Sequence, residues 1–106
     1  MKSYAGRQFE TYEASGQELR VHWNIEQITK EGIDGQPETQ WVANEALCGV
    51  ADDRGTLITK IIGSVYTIAD EIATINNKDS KPNEYAEYQA FRTQAKALAD
   101  GWLNNK

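Results

Sequence analysis

Residues 19–26 read Leu-Arg-Val-His-Trp-Asn-Ile-Glu, with Leu19, Val21, Trp23 and Ile25 at every second position and Arg20, His22, Asn24 and Glu26 between them. A period of two is that of a β-strand with one buried and one solvated face. Just upstream, Phe9-Glu10-Thr11-Tyr12-Glu13 has strand-forming composition, and Ser15-Gly16-Gln17 predicts the tight turn that separates the two strands. Downstream, residues 31–37 carry two glycines and a proline, which turn the chain, and Thr39 to Ala43, centred on Trp41 and Val42, predicts a returning strand. The economical result is a three-stranded antiparallel meander in which Trp23 and Trp41 face each other across neighbouring strands.

From Asp53 onward the period changes. Ile58, Ile61, Val65, Ile68, Ile72 and Ile75 step by three and four, with Leu57, Ile62, Ala69 and Ala73 widening the stripe, and this predicts core-facing helix. Asp52 or Asp53 is placed to cap it. Gly63-Ser64 weakens the middle, and Thr67 followed by Asp70 and Glu71 has the form of a second N-cap with first-turn acids, which places a break near Tyr66-Thr67. Residues 76–83 are turn formers. The last helix starts near Pro82, carries the stripe Tyr88, Phe91, Ala95, Leu98 and Trp102, and is expected to close at Asp100-Gly101.

Strands followed by helices indicate an α+β fold, with two main helices and a short extra one packed on one face of the meander. With 106 residues the chain has room for one core. The expected organisation is a single domain over 1–106, strand-rich through residue 50 and helical from 51. The expected core comprises Trp23, Ile61, Val65, Phe91, Leu98 and Trp102.

The formal charge of −5, with Lys and Arg scattered among Glu and Asp, argues against a surface that tracks nucleic-acid phosphates. Cys48, the single cysteine, has neither a disulfide partner nor a CxxC mate and reads as a small buried hydrophobe beside Ala46, Leu47 and Val50. No charged-then-apolar leader and no run of about 18 apolar residues is present, so the expected location is cytoplasmic, with no membrane partner.

Candidate chemistry is sparse. His22, the single histidine, lies on the polar side of the 19–26 alternation and reads as exposed or at the rim; a general base would need an orienting carboxylate and a nucleophile within reach. Cys48 is the thiol that could join it, and nothing in the spacing brings the two together. Glu84 with Glu87, and Asp70 with Glu71, fit helix N-termini electrostatically. Asp52-Asp53-Arg54-Gly55 does not match a calcium loop, and Gly32-Ile33-Asp34-Gly35 lacks the pattern of a phosphate-binding loop. These readings predict no catalytic residue, no metal, no cofactor and no enzymatic activity. Tyrosine and tryptophan dominate binding hot spots, which makes Tyr4, Tyr12, Tyr85 and Tyr88 the candidate partner contacts. Edge pairing through Gln8 to Ala14, or a shared helix face around Tyr85 and Tyr88, would support a homo-oligomer. A small-ligand or carbohydrate module using the same aromatics is the alternative, and a hydrolase-like site of dispersed carboxylates is the next.

The segments Ile61-Ile62-Gly63-Ser64-Val65-Tyr66, then residues 70–77, then Glu84-Tyr85-Ala86-Glu87-Tyr88-Gln89-Ala90-Phe91-Arg92 with Ala95-Lys96, resemble a pattern of small uncharacterised proteins from phage and prophage gene clusters of gut bacteria. The likeness spans residues 54–103. It implies a structural, assembly or accessory role in a phage-derived module, acting by protein contact, and carries over no site residue.

Overall fold

In the computed structural model, which describes residues 2–32 and 35–104, the alternation at 19–26 sits inside a much longer strand. Four strands, β1 (Lys2–Ala5), β2 (Tyr12–Ser15), β3 (Glu18–Glu31) and β4 (Pro37–Gly49), precede three helices, α1 (Arg54–Gly63), α2 (Ile68–Asn76) and α3 (Pro82–Asn104). The strands form one antiparallel sheet in the order β1-β4-β3-β2. The fold is α+β, as the sequence indicates, but the sheet has four strands rather than the three of the expected meander. The extra strand is Lys2–Ala5, paired with Trp41–Asn44, a partner too distant in sequence for local pattern to reveal. Phe9, Glu10 and Thr11 are not strand. They belong to the segment that carries the chain from β1 at one edge of the sheet to β2 at the other.

The β2–β3 turn has Gly16 at φ 62°, the backbone that glycine supplies at the first central position of a two-residue hairpin. Between β3 and β4, Trp23 pairs with Asn44 and Glu26 with Val42, so two residues oppose one in a bulge, and Asn24 there adopts φ 52°. Trp41 pairs with Gln27 and Ala5 rather than with Trp23, and strand alternation places the two tryptophans on opposite faces. Of the turn predicted at 31–37, Ile33 and Asp34 lie outside the described residues; Gly35 has φ 72°.

α1 and α3 cover one face of the sheet. Leu19, Val21, Trp23, Ala46 and Cys48 form a single buried cluster with Leu57, Ile61 and Ile62 of α1 and Ala95 and Ala99 of α3. Each large apolar side chain moved from water to such a core is worth about 1.5 to 3 kcal/mol. Phe91, Leu98 and Trp102 pack half-buried against the cluster, so the stripe read in α3 does face inward. The rings of Phe91 and Trp23 are 5.7 Å apart and those of Trp102 and Tyr12 5.8 Å. α3 does not stop at Asp100-Gly101. It continues to Asn104, and a side chain at Gly101 would collide with the Tyr12 hydroxyl, so this glycine serves close approach rather than termination.

Asp53 caps α1 by accepting from Thr56 N at 2.8 Å. Thr67 and Asp70 form a reciprocal capping box at the start of α2, where the sequence places a break. That break overturns part of the core expectation. Val65 is 47% exposed and lies in the turn, and α2 buries none of its residues. The stripe continued by counting from Ile61 to Ile75 assumed one helical phase, whereas residues 64–67 reset the phase and leave Ile68, Ile72 and Ile75 outward.

Candidate functional site

Two features stand apart from the core: a buried polar cluster on the sheet face opposite the helices, and the outward ridge of α2. The first is built by register. β3 and β4 pair His22 directly with Glu45, and alternation points both away from the helices. The segment from β1 to β2 then crosses above them. Phe9 lays its ring 4.6 Å from the imidazole, and Thr11 O accepts from His22 N at 2.8 Å. His22 is therefore 1% exposed and Glu45 5%, where the sequence places His22 at the rim. His22 does lie on the polar side of the alternation, but it is covered by residues eleven to thirteen positions upstream.

Both imidazole nitrogens are engaged. Nδ1 is 2.8 Å from Glu10 O, and Nε2 is 3.0 Å from a Glu45 carboxylate oxygen. Arg20 approaches Glu45 at 3.4 Å from the exposed side, and Glu13 lies 3.7 Å from Nδ1. Glu13 is held below the ordinary carboxylate range chiefly by its hydrogen bond with Arg7 at 2.7 Å, against an opposing effect of burial. The arrangement joins an imidazole to carboxylates, with both ring nitrogens engaged rather than open to a substrate. Cys48 sits on the other face of the sheet within the helix-side cluster, where burial pushes its thiol pKa up. Among the described residues no group of three or more His, Cys, Asp or Glu is placed to hold a metal ion. Among the same residues, no helix is long and apolar enough to cross a membrane.

The four candidate tyrosines are not brought together. Tyr4, at the β1 edge opposite Val42, is 57% exposed. Tyr85 is half-buried. The Tyr12 hydroxyl donates to Leu98 O, tying β2 to α3. Tyr88 is buried, and its hydroxyl donates to Glu71 at 2.8 Å while its ring meets Tyr66 edge-on at 5.1 Å. Burial, reinforced by the Glu71 carboxylate, raises the Tyr88 phenol above its ordinary pKa. Tyr12 and Tyr88 thus serve internal contacts, which leaves Tyr4 and Tyr85 as the accessible members of the set.

The Glu71–Tyr88 bond also explains how α2 is mounted. Its half-buried residues are Glu71 and Thr74, so the polar side of this amphipathic helix meets α3. Ile68, Ile72 and Ile75, at 78%, 55% and 44% exposure, form the outward ridge, with Val65 beside it. Spacing at i, i+4 and i+7 lines them along one face. Between α2 and α3 runs a groove of ≈ 340 Å³ lined by Tyr66, Asp70, Ala73, Asn77, Lys81 and Glu84 among others. The three-and-four spacing alone predicts the ridge residues in the core; the capping box at Thr67, which starts a new helix, is the signal that separates them from it. Comparisons with protein-family models, with curated proteins and with solved structures return no match.

Proposed function

We propose that the chain works by contact, as a structural, assembly or accessory component that binds another protein through the isoleucine ridge of α2. The observation that carries this reading is the inverted mounting of α2, polar side toward α3 and apolar side outward. Scattered exposed apolar residues are ordinary on a protein surface, but an aligned ridge is the form in which helices dock into apolar grooves. The likeness of residues 54–103 to small phage-module proteins favours an assembly role. A small-ligand module is less favoured, because the groove beside α2 is open and Asp70 within it is committed to the capping box.

The test uses the parent chain and an Ile68→Lys/Ile72→Lys variant as paired baits, followed by titration of any purified protein recovered with the parent. The expected result is a partner whose Kd weakens at least ~10-fold with the variant, since about 1.4 kcal/mol corresponds to each tenfold. Identical recovery with both baits and equal affinity in titration would remove the ridge as a binding surface.

A further inference from the structure

The outer half of the β3–β4 hairpin forms an arm. The buried cluster ends at Trp23 and Ala46, and beyond the bulge Glu26, Gln27, Thr29, Lys30 and Glu31 are exposed while Ile25 and Ile28 are half-buried. Residues 25–31 reach about 20 Å at strand rise. The radius of gyration is 16.2 Å, and the principal extents are 50 × 36 × 19 Å. A compact chain of this length would have a radius near ~13 Å, so the molecule is elongated. β2 covers the outer edge of β3 only through Glu18–Val21, and Thr11 takes the amide of His22. From Asn24 to Glu31, among the described residues, no strand pairs on that side.

We propose that this edge is a homodimer interface, in which two copies pair their β3 arms antiparallel about a twofold axis through Ile28, joining the two sheets into one. The inference rests on the arm and is independent of the α2 ridge. The occupant is identified by charge. Centring the pairing on Ile28 places Glu26 opposite the partner's Lys30 and Lys30 opposite the partner's Glu26, with Gln27 and Thr29 facing each other between them. Opposite-charge and β-branched pairs directly across strands are favourable, and like charges are not. The neighbouring registers lose these charge pairs: centring on Gln27 places Glu26 opposite Ile28, and centring on Thr29 places Lys30 opposite Ile28.

The existing ladder extends the pattern, because Lys30 already faces Glu38 across β3 and β4. In the dimer each Lys30 lies between Glu38 of its own chain and Glu26 of the other. Edge charges normally exclude indiscriminate strand pairing. The same charges admit the one strand that complements them, which is how repulsion against other partners becomes specificity.

The test is a charge exchange read by sedimentation over a concentration series. The parent chain is expected to dimerise with a micromolar Kd, in keeping with a small interface. Glu26→Lys alone and Lys30→Glu alone each bring like charges together twice and are expected to weaken the dimer at least ~10-fold. An equimolar mixture of the two variants is expected to recover a heterodimer near parental affinity. Residues 26 and 30 stand about 13 Å apart along one strand, so recovery cannot arise within a chain. Circular dichroism verifies that each variant folds, and slower hydrogen exchange in residues 24–31 of the parent at high concentration provides a second reading. A parent that stays monomeric at millimolar concentration, a mixture no tighter than the single variants, or a dimer abolished by Ile72→Lys but untouched by the arm variants would overturn the proposal.

Discussion

His22 Nε2 and Glu45 Oε2 are 3.0 Å apart at directly paired positions of β3 and β4, and both side chains are buried. The other ring nitrogen, Nδ1, lies 2.8 Å from Glu10 O, so both nitrogens of the buried ring have polar neighbours. Removing one partner strands the other in a dry site. His22→Ala is expected to cost about 3 to 5 kcal/mol, whereas replacing both residues with Leu costs less than either single truncation, because a buried pair can be exchanged for apolar packing. Denaturant unfolding of the two singles and the double measures this; a double variant as unstable as the sum of the singles would contradict it.

Gly101 is where α3 passes the Tyr12 hydroxyl. Alanine would ordinarily strengthen a helix interior by about 1 kcal/mol over glycine. Here the added methyl meets the Tyr12 oxygen that also bonds Leu98 O, so Gly101→Ala is expected to destabilise by about 1 to 3 kcal/mol. In a Tyr12→Phe background the cost is expected to shrink. A Gly101→Ala protein more stable than the parent would show that the helix and β2 separate without penalty.

What local chemistry writes into the sequence was legible, and what register and crossing connections decide was not. Asp53 and the Thr67–Asp70 box act over three residues, and both caps were readable where they stand. The alternation at 19–26 announced β3 but not its length, because the exposed residues beyond Glu26 alternate without a buried face. Pairing of Lys2–Ala5 with Trp41–Asn44 spans some forty residues and leaves no local trace. The register running from Glu18 opposite Gly49 already sets Asn44, not Trp41, against Trp23, and the bulge at Asn24, in a left-handed conformation, moves Trp41 one residue further, to Gln27. Burial of His22 depends on Phe9 arriving over the sheet, a property of the crossing segment rather than of the strand.

The ridge of α2 should be nearly silent in stability. Ile72→Ser and Ile68→Lys remove side chains from solvent rather than from a core, so each is expected to change unfolding free energy by no more than about 0.5 kcal/mol. Ile61→Ala, in the same run of three-and-four spacing but fully buried, is expected to cost about 2 to 5 kcal/mol. Thermal or denaturant unfolding separates them. A large loss at Ile72 would mean that α2 packs its apolar side inward.

Acid should loosen the ties between strand end and helix. Asp52 accepts from Lys60 Nζ at 2.7 Å and from Gly49 N at 2.8 Å, joining α1 to the end of β4, and the lysine bond chiefly holds its carboxyl below the ordinary value of 3.8. Asp53 is lowered by Thr56 N at the α1 cap, and Asp100 by Arg54, which bonds it at 2.7 Å. A carboxylate depressed in the folded state binds fewer protons there than in the unfolded chain, so its contribution is complete above the ordinary range and declines as pH falls through the folded value. Asp52→Asn removes the Lys60 ion pair. The difference in Tm between parent and Asp52→Asn is therefore expected to be greatest near neutral pH, to shrink below about pH 4 and to vanish once the parent carboxylate is protonated. Equal Tm for parent and Asp52→Asn at every pH would assign the role of Asp52 to the Gly49 hydrogen bond alone, since an amide oxygen can still accept from that backbone N–H when the charge is gone.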